Sequence, residues 1–532
     1  MSLTSTYFIV FFILLLVLYY LLPKKVQWVV LLVFSIVFYC FGGIKSIIYV
    51  GITSLSTYGT AYIIQRRKDK QKEYFSTNKD IITREEKKAY KSKIKSKNKV
   101  IMIWCIILNV VILSFFKFFL VAIQGINSII TNLFSGSALS IIIPLGISYY
   151  TLQAIGYLVD VYWGNVNAEK NYFKVLLFVL FFPQITQGPI SDYKQLSSEL
   201  FEEHNLDYKN ISFGFQRMVW GFFKKLVIAD FLVSNISLVF DNATNYSGFT
   251  VLVAAVLCII QLYMDFSGYM DIVCGLCEML GITLTENFKR PFFSKSVSEF
   301  WRRWHISLGA WFRKYVYYPA GMSKWNNKIA TKTKKIIGEK AYSNMPATLS
   351  LVVVWFLIGL WHGANLPYIL WGLMNGLCLI LGIWFRSTID KVINKLHVNI
   401  NSKIYKTICC IKTFILVAFM EFFSDAGSVS NANIMIKQIF TNFRLPKSIA
   451  EILPNIGVQG VVSYVGGLIA ILGLVIVFVF SIFQEKGISI RCKFSKVPML
   501  LRIFCLSLLV IIILSFGIQS SWGAGAFLYA NF

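Results

Sequence analysis

The run Leu360-Trp361-His362-Gly363-Ala364-Asn365 places a histidine at the end of a strongly apolar segment, 348–360. A second apolar segment follows from Tyr368, and the chain holds four histidines in 532 residues. An ionisable side chain at membrane depth is costly, which makes His362 a functional candidate by default. A neutral imidazole accepts a proton from a hydroxyl near neutral pH, so the chemistry to expect is general-base transfer of an acyl or related group. Gly363 permits close backbone approach beside it. On a continuing helix Asn365 shares a face with His362, where it could orient the ring or bind an oxyanion. Trp361 is placed to shape the pocket. The competing reading is a structural histidine bonded to a neighbouring helix.

Four further groups have types and spacings that could do chemistry. Phe300-Trp301-Arg302-Arg303-Trp304-His305 is followed by Trp311, Arg313, Tyr315, Tyr317 and Tyr318. Aromatics interleaved with arginines suit the membrane–water boundary. Arg302, Arg303 and Arg313 could clamp a phosphate-bearing donor. His305, on an expected headgroup-level helix, could hydrogen-bond that donor; plain anchoring explains the segment as well. Gln261 through Asp271 puts Asp265 and Asp271 inside an apolar span. Buried carboxylates need partners, for which the arginines near 302 and 313 are candidates. Structural pairing is favoured over acceptor binding for Asp265. Cys274 and Cys277 have a metal-like spacing without a second pair, and read as small apolar packing residues; no metal site is expected. His204 and His397 lie in polar segments and receive no role.

The elements that must position these groups are helices in a membrane. The chain is 56% hydrophobic and 14% charged, where a soluble protein carries about 25% charged residues. Apolar stretches recur at 5–22, 26–41, 46–64, 100–120, 139–159, 172–188, 212–239, 249–281, 347–361, 367–385, 408–424, 460–483 and 498–518. They are continuous rather than alternating, so the expected fold is an all-α integral membrane protein with about 11 to 13 membrane segments. Pro144 to Ser148 and Phe182 to Pro189 break two spans, as at re-entrant or cavity-lining backbone. One polytopic domain is expected over 1–532: N-terminal helices 1–64, a basic loop 65–99, a core 100–386, and C-terminal helices 387–532. The first span lacks signal-peptide flanks and is expected to be retained. Much of the net charge of +27 is expected in loops. Positive loops stay cytoplasmic, which puts 65–99 inside and the N-terminus outside. Anionic lipid contact accounts for the charge; nothing accompanies it that reads nucleic acid. Broken spans and intramembrane carboxylates would also suit a transporter or flippase, though no inverted repeat is evident.

Together these motifs resemble a family. Residues 300–308 (FWRRWHISL) and 359–364 (GLWHGA) are similar to the membrane-bound O-acyltransferases, in their bacterial alginate O-acetyltransferase branch. The resemblance extends in order to Pro144–Tyr150, Phe182–Ile190, Gly221–Lys225, Asp265–Tyr269 and Phe527–Tyr529. It implies a multi-helix fold around a tunnel or funnel, with His362 as the essential catalytic residue. It implies a cytoplasmic donor, acetyl-CoA or another acyl thioester, with no bound cofactor. It implies acyl delivery outward to a cell-surface or secreted polysaccharide, completed by a separate extracytoplasmic transferase. In this reading Arg302, Arg303 and His305 bind the donor, and Asn365 and Asn375 give polar support. The chain departs from relatives at Asn375, where many carry histidine, and at Ser424, where arginine is frequent. The lysine-rich stretch after Gly321 is longer than in the alginate enzymes. A D-alanyl transfer to teichoic acid, fed by a carrier protein docked on the basic loops, is the nearest alternative.

Overall fold

The computed structural model describes residues 3–134, 144–363, 365–454 and 461–517. All regular structure among them is helical. Among the described residues, eight helices are long and apolar enough to cross a membrane, from Ile44–Thr77 to Met499–Phe516, and Thr6–Leu21 is a shorter apolar helix. Outward-facing apolar residues such as Leu500, 84% exposed, and Val10, 63% exposed, make sense only against lipid. The protein is an all-α, multi-pass membrane protein. The described residues cluster into two compact units, Met1–Ile211 with Cys277–Leu284, and Ser212–Leu276 with Thr285–Phe532.

The first unit contains α1 (Thr6–Leu21), α2 (Gln27–Cys40), α3 (Ile47–Thr77), α4 (Arg84–Phe134), α5 (Ile147–Trp163), α6 (Tyr172–Leu180), α7 (Phe182–Ile185) and α8 (Tyr193–Phe201). Phe8, Phe11, Phe38 and Phe182 interlock at ring distances of 5.4 to 6.3 Å and join α1, α2 and α7. The basic stretch 65–99 is not a loop. It is the end of α3 and the start of α4, joined across 78–83. A reciprocal cap starts α4: Thr83 N donates to Glu86 Oε2 at 2.9 Å, and Glu86 N donates to Thr83 Oγ1 at 3.2 Å. With 51 residues, α4 is about 77 Å long at 1.5 Å per residue.

The two span breaks foreseen at 144–148 and 182–189 meet in space. Gly146 starts α5 at φ 68, and a Cβ there would lie 1.7 Å from the Ile185 carbonyl oxygen. Only glycine permits that approach. Gln153 Nε2 donates to Gln184 Oε1 at 3.2 Å, and Gln184 Nε2 donates to Ser191 Oγ at 2.7 Å, so polar side chains serve the broken backbone. The resemblance segment Phe527–Tyr529 lies outside the described residues.

The second unit begins in α9 (Tyr208–Phe222), which passes through a π-helical stretch, Phe223–Ala229, into α10 (Asp230–Asp241). Then come α11 (Gly248–Met279), α12 (Val297–Arg303), α13 (Ile306–Phe312), α14 (Tyr318–Gly321), α15 (Lys324–Ile337), α16 (Glu339–His362), α17 (Leu366–Trp384), α18 (Arg386–Lys395) and α19 (Lys403–Asp425). The chain closes with α20 (Val429–Thr441), α21 (Ile449–Ile452), α22 (Val461–Glu485), α23 (Ile490–Phe494) and α24 (Met499–Phe516). Gly221 and Gly268 let α9 and α11 cross with backbones nearly touching: a Cβ on Gly221 would lie 2.6 Å from the Gly268 oxygen.

This crossing brings the buried charges together. Lys225 Nζ sits 2.5 Å from Asp265 and 2.8 Å from Asp230, with all three side chains at most 2% exposed. Asp271 pairs with Lys224 at 2.6 Å and with Arg217 at 2.9 Å. The partners of the intramembrane carboxylates are therefore the cations of α9 and its π-helical continuation, not the arginines near 302 and 313. Asp265 is ion-paired, with a partner other than those expected. The choice follows from the glycine crossing, which puts lysine stems beside α11.

Candidate functional site

His362 is the last residue of α16. Gly363 follows in an extended conformation, and Pro367 sits in the first turn of α17. Glycines set the closeness of the two helices. A Cβ on Gly359 would lie 2.6 Å from the Tyr368 oxygen, and one on Gly372 would lie 2.4 Å from the Trp355 oxygen. A Cβ on Gly363 would lie 2.3 Å from the Tyr368 ring. This contact puts the His362 ring among three aromatics. Trp371 meets it edge to face at 4.9 Å, Trp361 meets it at 5.0 Å, and Tyr368 stacks at 6.3 Å. The side chain is 6% exposed.

Because α16 ends at His362, the helical spacing expected for Asn365 does not apply. Asn365 is the exposed N-cap position of α17, and no continuing helix lays it over the imidazole. Pro367, in the first turn of α17, was the readable stop for a helix running on from α16.

His305 is the second surprise of placement. It stands between α12 and α13 at φ 44, in the left-handed region. The turn is held by Asn287, whose carbonyl oxygen accepts from Ile306 N at 3.1 Å and whose Oδ1 accepts from Ser307 N at 2.9 Å. His305 does not face outward. It is 3% exposed, with Phe266 at 4.8 Å and Trp361 at 6.3 Å. Burial lowers its pKa to about 3, so the ring is neutral at physiological pH.

Both histidines line one cavity of about 1350 Å³ within the second unit. Trp301, Trp304, Trp355 and Trp371 form much of its wall. Arg302, Arg313, Arg386 and Lys412 also line it, with Asp390 as their one acidic neighbour there. These five charged residues are exposed, whereas the histidines are buried. The cavity thus runs from a cationic rim to a buried imidazole floor. Trp361 packs against both histidine rings rather than lining this space.

The expected arginine clamp is divided. Arg302 and Arg313 reach the cavity, and Arg302 Nη1 donates to Ser298 Oγ at 3.0 Å. Arg303 is engaged elsewhere: it bonds both Glu485 oxygens at 3.0 Å and Glu299 Oε1 at 2.7 Å. Arg386 and Lys412 take up rim positions instead. Arg386 follows the apolar run 367–385 and Lys412 lies inside the run 408–424, and sequence reading gave neither a role.

Two indole N–H groups of the wall are pegged from outside the cavity. Trp301 Nε1 donates to Asn375 Oδ1 at 3.1 Å, and Asn375 Nδ2 donates to the Trp371 carbonyl oxygen at 2.9 Å. Trp371 Nε1 donates to Glu421 Oε2 at 2.9 Å. Glu421 was missed by sequence reasoning, although a lone glutamate in the apolar run 408–424 was a visible anomaly.

The arrangement can hold an imidazole against aromatic walls and attract an anionic group at its mouth. Residues 169–333 match the family model of the membrane-bound O-acyltransferases. The chain is 36% identical over 281 residues to the probable alginate O-acetylase AlgI of Pseudomonas syringae pv. tomato, covering 52% of this chain and 50% of that protein. It is 33% identical over 300 residues to the peptidoglycan O-acetyltransferase of Helicobacter pylori, covering 52% and 53%. It is 29% identical over 246 residues to the teichoic acid D-alanyltransferase of Bacillus subtilis, covering 44% and 58%. The chain spans about half the length of the curated relatives it matches. The family match includes Asp265, Arg302, Arg303 and His305 and ends before His362.

Proposed function

We propose that this chain, which carries a membrane-bound O-acyltransferase domain at residues 169–333, is an O-acetyltransferase acting on a cell-surface or secreted polysaccharide. The observation that carries the reading is the buried, aromatic-walled His362 at the floor of a cavity with a cationic mouth. An acyl thioester, acetyl-CoA in the simplest case, enters with its anionic portion at Arg302, Arg313, Arg386 and Lys412. His362 takes the proton of the acceptor hydroxyl as its oxygen attacks the thioester carbonyl carbon. The carbon–sulfur bond then breaks, and the departing thiolate recovers the proton from the imidazolium. General-base help of this kind is worth about 10²–10⁴-fold. Neutral His305, held in its turn by Asn287, completes the polar floor.

In this reading the basic ends of α3 and α4 face the cytoplasm, the N-terminus faces outward, and an extracytoplasmic transferase finishes delivery. The similarity to O-acetylases favours transfer chemistry over transport. Similarity to a D-alanyltransferase keeps a carrier-protein donor as the second reading, tested by whether a phosphopantetheine carrier co-purifies from the cytoplasm.

The deciding experiment is His362→Gln in purified, reconstituted protein. Acetyl transfer from the thioester to an acceptor hydroxyl should fall to background while the protein stays monodisperse. Undiminished turnover overturns the reading.

A further inference from the structure

We infer that Glu421 is a positioning residue for His362, acting through the indole of Trp371; this rests on the catalytic reading of His362. Glu421 lies on α19, buried inside a candidate membrane span, Lys403–Asp425. Its Oε2 accepts from Trp371 Nε1 at 2.9 Å, while the Ser424 hydroxyl, 3.4 Å from Oε1, donates at 2.7 Å to the Glu421 backbone carbonyl oxygen. A leucine at the same place avoids the cost of an ionisable group in the bilayer but takes away the acceptor of the Trp371 N–H.

The geometry shows what it does. Trp371 lines the cavity with its ring, and the same ring meets His362 edge to face at 4.9 Å, at 74° between planes. Fixing the ring by its own N–H, from a residue that does not line the cavity, leaves the carbon surface of the indole facing substrate and the imidazole. Glu421 sets one end of this wall, and Asn375 sets the other through Trp301, whose ring lies 5.8 Å from that of Trp371. Without the Glu421 acceptor, the Trp371 N–H is left unsatisfied and the ring turns to find a partner. The imidazole then loses the surface that holds its plane. A misplacement of about 1 Å at a reacting group costs about 10²-fold.

The test uses full-length protein in proteoliposomes, with kcat and donor KM measured on monodisperse fractions. Glu421→Leu should lower kcat about 10- to 100-fold, with donor KM within about twofold of the parent. Glu421→Gln, whose amide oxygen still accepts from the indole, should recover most of that loss. Trp371→Phe should lose as much as Glu421→Leu, and the double variant no more than either, because both remove one interaction. The inference is overturned if Glu421→Gln is as damaged as Glu421→Leu, if the two losses multiply, or if folded Glu421→Leu keeps the parental kcat. His362→Gln is measured alongside. If it is inactive while Glu421→Leu turns over normally, only the positioning role fails; if it is active, the catalytic reading fails first.

Discussion

Replacing Gly372 with alanine should drive apart the two helices that meet at His362. A Cβ at 372 would lie 2.4 Å from the Trp355 carbonyl oxygen and 3.1 Å from the Gly359 backbone. These are backbone atoms of α16, so no side chain can swing away. Reaching an ordinary contact of 3.4 Å requires about 1 Å of separation. Overpacking on this scale costs about 1–3 kcal/mol. Trp371 precedes Gly372 and moves with it, away from the imidazole, so turnover should fall about 10²-fold. Gly59 is the control. It lies inside α3, does not line the cavity, and an added Cβ there meets nothing within 4 Å. Gly59→Ala should be neutral or raise stability by up to about 1 kcal/mol through helix propensity. The assay is thermal unfolding in detergent together with single-turnover acetyl transfer. Parental melting and parental turnover in Gly372→Ala would refute the close-packing argument, as would equal losses in the two variants.

Removing the charge of Lys225 leaves Asp230 and Asp265 buried without it. Lys225→Met should cost about 3–5 kcal/mol and sharply reduce folded protein by size-exclusion, while Lys225→Met combined with Asp230→Asn and Asp265→Asn should restore part of it. Acid should destabilise the protein through His305. Its folded pKa lies below the unfolded value of about 6.5, so the unfolded chain binds the proton first. The stability from a neutral His305 is complete above about pH 6.5 and falls as pH drops toward about 3, by about 1.4 kcal/mol per unit. The melting temperature of His305→Gln should respond less to pH across that window than the parent does; identical profiles would contradict the buried, neutral assignment. A cysteine placed at the exposed position Lys93 should resist membrane-impermeant reagents in intact cells and react once the cells are opened. Ready labelling in intact cells would reverse the proposed donor and acceptor sides.

Much of the site could be read from residue types because a bilayer makes polarity conspicuous. His362 stood out against 348–360, and it does end a helix in a tight aromatic setting. The breaks at 144–148 and 182–189 were legible from glycine and proline. Thr83-Arg-Glu-Glu86 also carried a readable helix start, overlooked because the surrounding charge suggested a loop.

Partnership was what residue types could not decide. Asp265 needed a cation, and both Lys225 and the arginines near 302 satisfied that requirement on paper. The Gly221–Gly268 crossing made the choice. His305 and the arginine pair differ by two residues in sequence, yet a left-handed turn sends the imidazole inward while Arg303 goes to Glu485.

Composition and the length of apolar runs, by themselves, established helices in a membrane, because backbone polar groups in lipid must be satisfied within each helix. The identities of the wall around His362 waited for the tertiary structure. Trp301, Trp371, Asn375 and Glu421 come from three helices and are joined by directional N–H bonds. Periodicity within one helix reports which face is buried, but which acceptor an indole finds depends on how closely the glycine-lined helices pack.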